Sequence, residues 1–314
     1  MRPRHLAALV VTQDRLPKLQ GAVARLRAAR PDSILVVANA SPPGTLGWLA
    51  AQADVEVLAL PRNTGGAGGF EAGMRRLHEQ GVADWIVVMD DDAGPEPDAF
   101  DRFRAADLAG VDAVAGAVML PTGAVCDMNR PAWDPFRHPG MVRDTFRRGR
   151  EAFHMGADAL APGAPPRAVD VASFVGLFLS RDALGRHGYP DPRMFLYGDD
   201  TLYTLRATKA GMRLVAMPAI RFEHECEAVA AGDGRLRPIW KVYYNHRNLL
   251  EVYAHTAGPW AFAFVPAAMA KWLLKARRYR GERGAYLRLT GRAIRDYLAG
   301  SYARAPHAGG RLRD

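Results

Sequence analysis

The sequence predicts an α/β fold: a mostly parallel, Rossmann-like sheet flanked by helices, with a C-terminal helical appendage. Three observations lead there. Four short apolar runs rich in Val, Ile and Leu alternate with amphipathic segments over the first hundred residues, as in parallel sheets covered on both faces. Each run is followed by polar residues, and in such sheets ligands sit at the carboxyl ends of the strands. The basic charge is concentrated in the last quarter of the chain.

The elements follow in order. "HLAALVV" (residues 5–11) reads as a buried strand, followed at helical spacing by residues 13–30. Residues 33–40 form a second strand and 45–53 a short helix; 55–60 form a third strand. A glycine-rich turn then leads into a helix from about Gly69 to Glu79, and "WIVVMD" (85–90) is the fourth strand. The polar ends of these strands hold Thr12 to Arg15, Asn39 to Ser41, Asn63 to Gly69 and Asp90 to Asp92, so one edge is expected to carry the site. Residues 121–166, rich in Pro, Gly and Arg, read as long loops or a lid. Strand character resumes over 169–180. A turn then enters a helix with Asp199 and Asp200 near its start, and a further strand or pair of strands ends near His224.

Composition narrows the class. The chain has 314 residues, 49% hydrophobic and 24% charged, the balance of a folded protein rather than a disordered one. Two cysteines, Cys126 and Cys226, lack CxxC spacing and cannot make a disulfide framework, which fits a reducing cytoplasm. The apolar run after the basic start is too short for a signal peptide and fits a first strand. Of the formal charge of +9, residues 238–314 hold 14 Lys or Arg against 4 acids, while the remaining 237 residues are near neutral at 28 against 29. That asymmetry calls for an acidic partner surface. No nucleic-acid-binding signature accompanies it, and no nucleic-acid partner is expected.

"IVVMDDDAGPEPD" (86–98) ends an apolar strand in three adjacent carboxylates. A solvated, capped turn would account for a pair of aspartates. An x-Asp-x-Asp arrangement on a buried strand end, however, points alternate carboxylates the same way, so Asp90 and Asp92 can share one hard divalent cation. On this reading the positive charge that three neighbouring carboxylates require is a metal, with diphosphate oxygens completing its shell. "PRNTGGAGGFEAG" (61–73) permits close backbone approach before a helix N-terminus, or is simply a tight turn. It is neither a Walker loop nor a GxGxxG after the first strand, so ATP and NAD lose ground. In "YGDDTLYTLRA", the paired acids leave room for one structural and one catalytic role. His224 in "FEHEC" is a structural or surface histidine, or a third metal ligand.

These segments resemble the GT-A fold, family 2 glycosyltransferases, and within them the galactofuranosyltransferase-like branch. "VVTQDR", "VVANASPP", "RNTGGAGGF", "VVMDDDAGPEPD", "YGDDTLYTLRATKAG", "RFEHEC" and "YYNHRN" occur in the family's order over roughly residues 5–250. The resemblance implies metal binding (Mn2+ or Mg2+) by Asp90, Asp92 and His224, with Asp200 as general base and Asp199 beside it. It implies a nucleotide-sugar pocket of Thr12, Arg15, Asn39, Asn63 and Asp91, with Gly65, Gly66 and Gly68 close to the donor. Tyr244 and Arg247 match a feature common after the catalytic core. One departure stands out: the acid often found two positions after the second aspartate is Leu202 here.

The implied activity is a metal-dependent, inverting transfer of galactofuranose from UDP-galactofuranose to a glycan or polyprenyl-linked glycan. A dTDP-rhamnose-dependent rhamnosyltransferase is the alternative. A sugar-nucleotide pyrophosphorylase would carry a glycine-rich basic loop where this chain has "TQDRL", and a non-catalytic carbohydrate-binding protein would have no need of Asp90, Asp92, His224 and Asp200 together. Residues 1–237 are expected to be the catalytic domain and 238–314 a basic, largely helical region. In the latter, Pro259 to Ala270 is too short an apolar stretch to span a bilayer. Beyond it, Arg and Lys alternate with apolar residues, flanked by Trp260, Trp272 and Tyr279. This suits a helix lying on an anionic membrane, peripheral on the inner face of the plasma membrane, or a helical appendage packed on the catalytic domain.

Overall fold

The computed structural model describes residues 5–225 and 235–302; Cys226 lies outside them. The first half runs β1 (Leu6–Thr12), α1 (Leu16–Ala29), β2 (Ser33–Asn39), α2 (Pro43–Ala50), β3 (Val55–Leu60), α3 (Gly65–Gln80), β4 (Trp85–Asp90), β5 (Ala93–Pro95), α4 (Ala99–Ala105) and β6 (Ala113–Met119). There follow α5 (Met141–Arg148), β7 (Arg167–Ala168), β8 (Leu177–Ser180), α6 (Arg181–His187), α7 (Asp199–Lys209) and β9 (Leu214–His224). The C-terminal helices are α8 (Lys241–Ala257), α9 (Ala261–Lys275) and α10 (Arg283–Leu298).

The strands form one sheet in the order β3-β2-β1-β4-β8-β6-β9-β5, with β7 beside β9. The first four strands are parallel; β8 runs antiparallel to both β4 and β6, and β5 antiparallel to β9. The chain moves outward from β1 to β3 and then returns to place β4 on the other side of β1. The strand order therefore reverses between β1 and β4, the position at which open α/β sheets bind ligands.

Strand alternation divides the core in two. Leu6, Ala8 and Val10 of β1 face α1 and α4, while Ala7, Leu9 and Val11 face Phe70, Met74 and Leu77 of α3. All seven residues of β1 are buried, which explains its uninterrupted apolar sequence, whereas the edge strand β3 exposes alternate residues.

Several elements differ from the sequence expectation. Helix α3 begins at Gly65, four residues earlier than expected, so the glycines form its first turns. Only 177–180 of the expected strand over 169–180 is a strand. β6, β5 and α4 have no counterpart in the sequence reading; the small residues of "AVAGAVM" give β6 a weak signal, yet it is buried throughout. Residues 214–224 form one strand rather than two, because the shift in its pairing with β6, from Gly116↔Met217 to Ala117↔Arg221, absorbs Pro218, which cannot donate to the ladder. The segment 121–166 contains α5 and buries Cys126, Asn129, Asp134, Met155 and Leu160, so much of it is packed rather than a free lid.

The C-terminal helices have their own apolar contacts. Val242, Ala276, Tyr279 and Tyr286 form one cluster and Tyr243, Tyr244 and Ala293 another. Tyr243 Oη donates to Asp296 Oδ2 at 2.8 Å, and Tyr286 Oη to the Trp272 carbonyl at 3.0 Å. Trp272 and Tyr279 are thus interior residues, and of the three aromatics expected to flank the basic charges only Trp260 is exposed. Among the described residues no helix is long and apolar enough to cross a membrane.

Candidate active site

The ends of β1 and β4 lie side by side, with Val11 opposite Asp90, and the three aspartates emerge there. Asp91 is fully buried; its Oδ2 accepts from Thr12 Oγ1 at 2.6 Å, and Arg15 forms an ion pair with its other oxygen. The same guanidinium donates to Asp92 Oδ2 at 2.6 Å, and Lys18 Nζ stands 3.6 Å from that oxygen. On the far side, His224 Nε2 lies 3.3 Å from Asp92 Oδ1. The histidine arrives through a pairing distant in sequence: β9 runs antiparallel to β5 with His224 opposite Ala93.

The sequence reading assigned the compensating positive charge to a metal. The structure adds protein cations: Arg15, Lys18 and His224 all neutralise Asp91 or Asp92. Their effect is uneven. Burial raises the Asp92 carboxyl, but the His224 hydrogen bond and the Arg15 and Lys18 charges outweigh it and hold the group down at about 2. For Asp91, burial wins over Arg15 and Thr12, and its pKa rises. Asp90 is pushed up to about 7, by burial first and then by Asp92. Burial would lower His224, but Asp92 lifts it to about 10.

Ligand atoms of Asp90, Asp92 and His224 all lie within 4.8 Å of one another. Two carboxylates and one imidazole make a donor set suited to a hard divalent cation such as Mn2+ or Mg2+. Asp90, the carboxylate least relieved by the protein's own cations, is where added positive charge is most favourable. A supporting shell is present as well. His224 Nδ1 donates to Asn129 Oδ1 at 2.8 Å, which leaves Nε2 facing the two carboxylates, and Asn129 Nδ2 is itself tied to Ser173 Oγ at 2.9 Å. The residues present fit the metal.

Asn39 and Asn63 hold the glycine segment. Asn39 Oδ1 accepts from the Thr64 N–H at 2.9 Å and the Thr64 hydroxyl at 3.1 Å, while its Nδ2 donates to the Gly65 carbonyl at 2.8 Å. Asn63 Oδ1 accepts from Gly65 N at 2.8 Å. Packing accounts for most of the glycines: a Cβ would strike the Phe195 carbonyl at Gly65, Thr64 at Gly68, Val11 at Gly69 and Leu9 at Gly73. Gly65 also has φ +71°, whereas Gly66 faces open space.

Asp199 and Asp200 sit in the first turn of α7, half-buried. Asp200 Oδ1 accepts from the Thr201 N–H at 2.6 Å and the Thr201 hydroxyl at 3.2 Å, and the backbone of Phe174 also bonds to its carboxylate. Burial still raises it. Asp199 is raised well above its ordinary value by burial, by Asp200 and by Asp90, whose charge reaches it across the site. Leu202, at the position where an acid was expected, is an interior residue packed with Ala67, Met194 and Val252.

The structure therefore gathers Thr12, Arg15, Asp90, Asp91, Asp92 and His224 tightly, with Asn39, Asn63 and the glycines on the adjoining wall. Sequence reasoning missed Lys18 and Asn129. Lys18 was legible, one helical turn after Arg15; Asn129 lies in an irregular segment and gave no signal.

Residues 8–157 match the family described as Glycosyl transferase family 2. The chain is 32% identical over 241 residues to galactofuranosyltransferase GlfT1 of Mycobacterium tuberculosis, covering 74% of this chain and 72% of that protein. It is 28% identical over 243 residues to the GlfT1 of Mycolicibacterium smegmatis, covering 74% of each. Among solved structures, GalNAc-T7 with UDP, GalNAc and Mn2+ matches with a TM-score of 0.58 at 12% identity, over 98% of this chain and 59% of that one. Mannosyltransferase PcManGT from Pyrobaculum calidifontis, in complex with GDP-Man and Mn2+, matches with a TM-score of 0.52 at 17% identity, over 94% and 87%.

Proposed function

This chain belongs to glycosyl transferase family 2 with a GT-A fold, and from that premise we propose that it transfers galactofuranose from UDP-galactofuranose, with inversion and with a divalent cation, to a glycan or polyprenyl-linked glycan. Kinship with galactofuranosyltransferases at 32% identity supports the sugar. The observation that carries the reading is the meeting of Asp90, Asp92 and His224 within 4.8 Å at the reversal of strand order.

Held by Asp90, Asp92 and His224, Mn2+ or Mg2+ would neutralise charge gathering on the departing diphosphate. Arg15 and Lys18 supply fixed positive charge at the same edge, which draws the donor phosphates in and needs no reorganisation during transfer. Thr12 and Asp91 anchor Arg15, Asn39 and Asn63 hold the wall beside the donor, and Gly66 offers the open backbone that the sugar approaches. Asp200 takes the proton of the acceptor hydroxyl. Burial makes it more basic than a solvated carboxylate, while the Thr201 and Phe174 backbone bonds favour its ionised form, as a base working near neutral pH requires. Asp199, raised by burial, by Asp200 and by Asp90, is the less readily ionised neighbour, which leaves the base role to Asp200.

The enzyme works at the cytoplasmic face of an anionic membrane in this reading. Trp260, just before α9, and Phe262, Leu273 and Leu274 along it are exposed, with Lys271 on the same helix, and Phe146 of the arginine-rich α5 stands 6.0 Å from Phe264 of α9. Apolar rings beside cations suit a lipid headgroup layer. Residues 1–237 hold the groups that touch donor and acceptor, and α9 supplies most of the attachment face.

A thermal-shift panel tests the proposal: UDP-galactofuranose, UDP-galactose, dTDP-rhamnose and GDP-mannose, each with and without Mn2+. UDP-galactofuranose is expected to raise the melting temperature most, and only with the metal. A larger metal-dependent shift with dTDP-rhamnose would reassign the donor; equal shifts with and without Mn2+ would reject the metal.

A further inference from the structure

The five residues before α7, Met194 to Gly198, have an unusual backbone. Phe195 (φ 63°) and Tyr197 (φ 68°) have positive φ although neither is glycine, and Gly198 follows at φ 76°. Such conformations are strained on aromatic residues and persist only where the surroundings impose them. This segment touches both halves of the site. The Phe195 carbonyl accepts from the Ala67 N–H at 3.3 Å and lies against Gly65, while the chain runs directly on into Asp199 and Asp200.

What imposes the conformation is α8. Asn248 Nδ2 lies 2.8 Å from the Met194 carbonyl, 2.9 Å from that of Leu196 and 2.8 Å from that of Tyr197. Arg247 Nη2 donates to the carbonyls of Arg193 at 2.8 Å and Met194 at 3.1 Å, and its Nε to Asn248 Oδ1 at 2.9 Å. Both side chains are fully buried. No carboxylate pairs with Arg247 among the described residues; its charge rests on these carbonyls and on the rings of Tyr243, Tyr244 and Tyr302, each 5.2–5.4 Å away. The Phe195 ring stacks on Tyr244 at 4.8 Å. Ala67, Met194, Leu202 and Val252 close an apolar contact among α3, the segment, α7 and α8.

The geometry points to Arg247 and Asn248 as positioning residues: from α8 they clamp residues 193–197 in a strained form that sets the glycine wall of the donor site and the aspartate pair of the acceptor site in mutual register. Cut from the clamp, the segment relaxes towards extended backbone, moving Phe195 off Gly65 and turning the start of α7. Transfer then suffers more than nucleotide binding, since Thr12, Arg15 and the metal ligands sit on other elements. The inference rests on the proposed transferase reading for its kinetic effect, though not for its structural one.

The test uses the full chain and its Asn248→Ala and Arg247→Lys variants. For Asn248→Ala, kcat is expected to fall at least about 30-fold while the Kd for UDP changes less than about threefold. The acid limb of kcat should move to lower pH, because Asp200 loses the burial that raises it. Arg247→Lys keeps the charge but loses the fork, and an intermediate loss is expected. A merely structural residue would lower activity only in proportion to the folded fraction, with the acid limb unmoved; that result, or full activity in a folded Asn248→Ala, overturns the clamp. Hydrogen exchange at residues 194–198, measured on the same samples, should accelerate at least tenfold in both variants. Unchanged exchange there rejects the clamp even if the protein transfers none of the four sugars, whereas fast exchange with no transfer by the wild type rejects the transferase reading alone.

Discussion

The backbone N–H of Ala67 donates to the carbonyl oxygen of Phe195 at 3.3 Å, and the two segments come this close only because Gly65 has no side chain. Gly65→Ala forces backbone against backbone at a left-handed position, and a loss of at least about 2 kcal/mol is expected. Gly66→Ala meets open space and should keep its melting temperature within about 2 °C, while raising the KM for the donor if the sugar lies against that backbone. Equal melting temperatures for wild type and both variants would show that residue 65 tolerates a side chain.

Arg15 bridges Asp91 and Asp92, and Asp91 is fully buried. Arg15→Ala should destabilise the fold by about 1–3 kcal/mol, the range for a buried acceptor left without its donor. Added Mn2+ should recover part of that loss, because the cation replaces some of the missing positive charge. In Arg15→Ala/Asp92→Ala the recovery should vanish. A Mn2+ stabilisation that survives loss of Asp92 places the cation elsewhere.

His246 is stacked on Trp272 at 4.1 Å and bonded to Thr290 Oγ1 at 3.1 Å; burial, with Lys275 nearby, lowers its pKa to about 3. The unfolded chain takes up this proton near pH 6.5 and the folded one only near 3. Stability is therefore lost as the pH falls below 6.5, by about 2 kcal/mol at pH 5 at 1.36 kcal/mol per pKa unit. In His246→Phe the fall in melting temperature from pH 7 to pH 5 should be smaller; an equal fall would move the acid sensitivity to other groups.

Cutting the chain after residue 257 would not isolate membrane binding, because α10 packs on α8 and covers Tyr243 and Tyr244. Point changes at exposed side chains do. Phe262→Glu with Leu274→Glu should weaken sedimentation with anionic liposomes at least tenfold and leave the melting temperature within about 2 °C, and Phe146→Glu should weaken it further. Binding indifferent to all three would remove the membrane from the function.

The parallel strands were legible because each is a continuous apolar run ending at a polar residue; residues 55–60 and 85–90 are bounded as the periodicity suggests. β6 was not, since alanine and glycine signal neither period, and the pairing that makes "AVAGAVM" a buried strand lies with β9, a hundred residues on. The aspartates were visible as a local anomaly. Asn129, which orients His224, and Asn248, which grips residues 194–197, make contacts that no local pattern encodes.

By itself the sequence determined the alternation of strands and helices, the edge that carries polar residues, and the identity of the acidic groups there, because local periodicity and like-charge crowding leave their mark within a few residues. Tertiary structure alone decided that Arg15 bridges Asp91 and Asp92, that β5 pairs with β9 so that His224 stands opposite Ala93, and that α8 holds the segment before the aspartate pair. Those distances depend on strand order and helix packing, which join residues far apart in the chain, and spacing along the chain does not fix them.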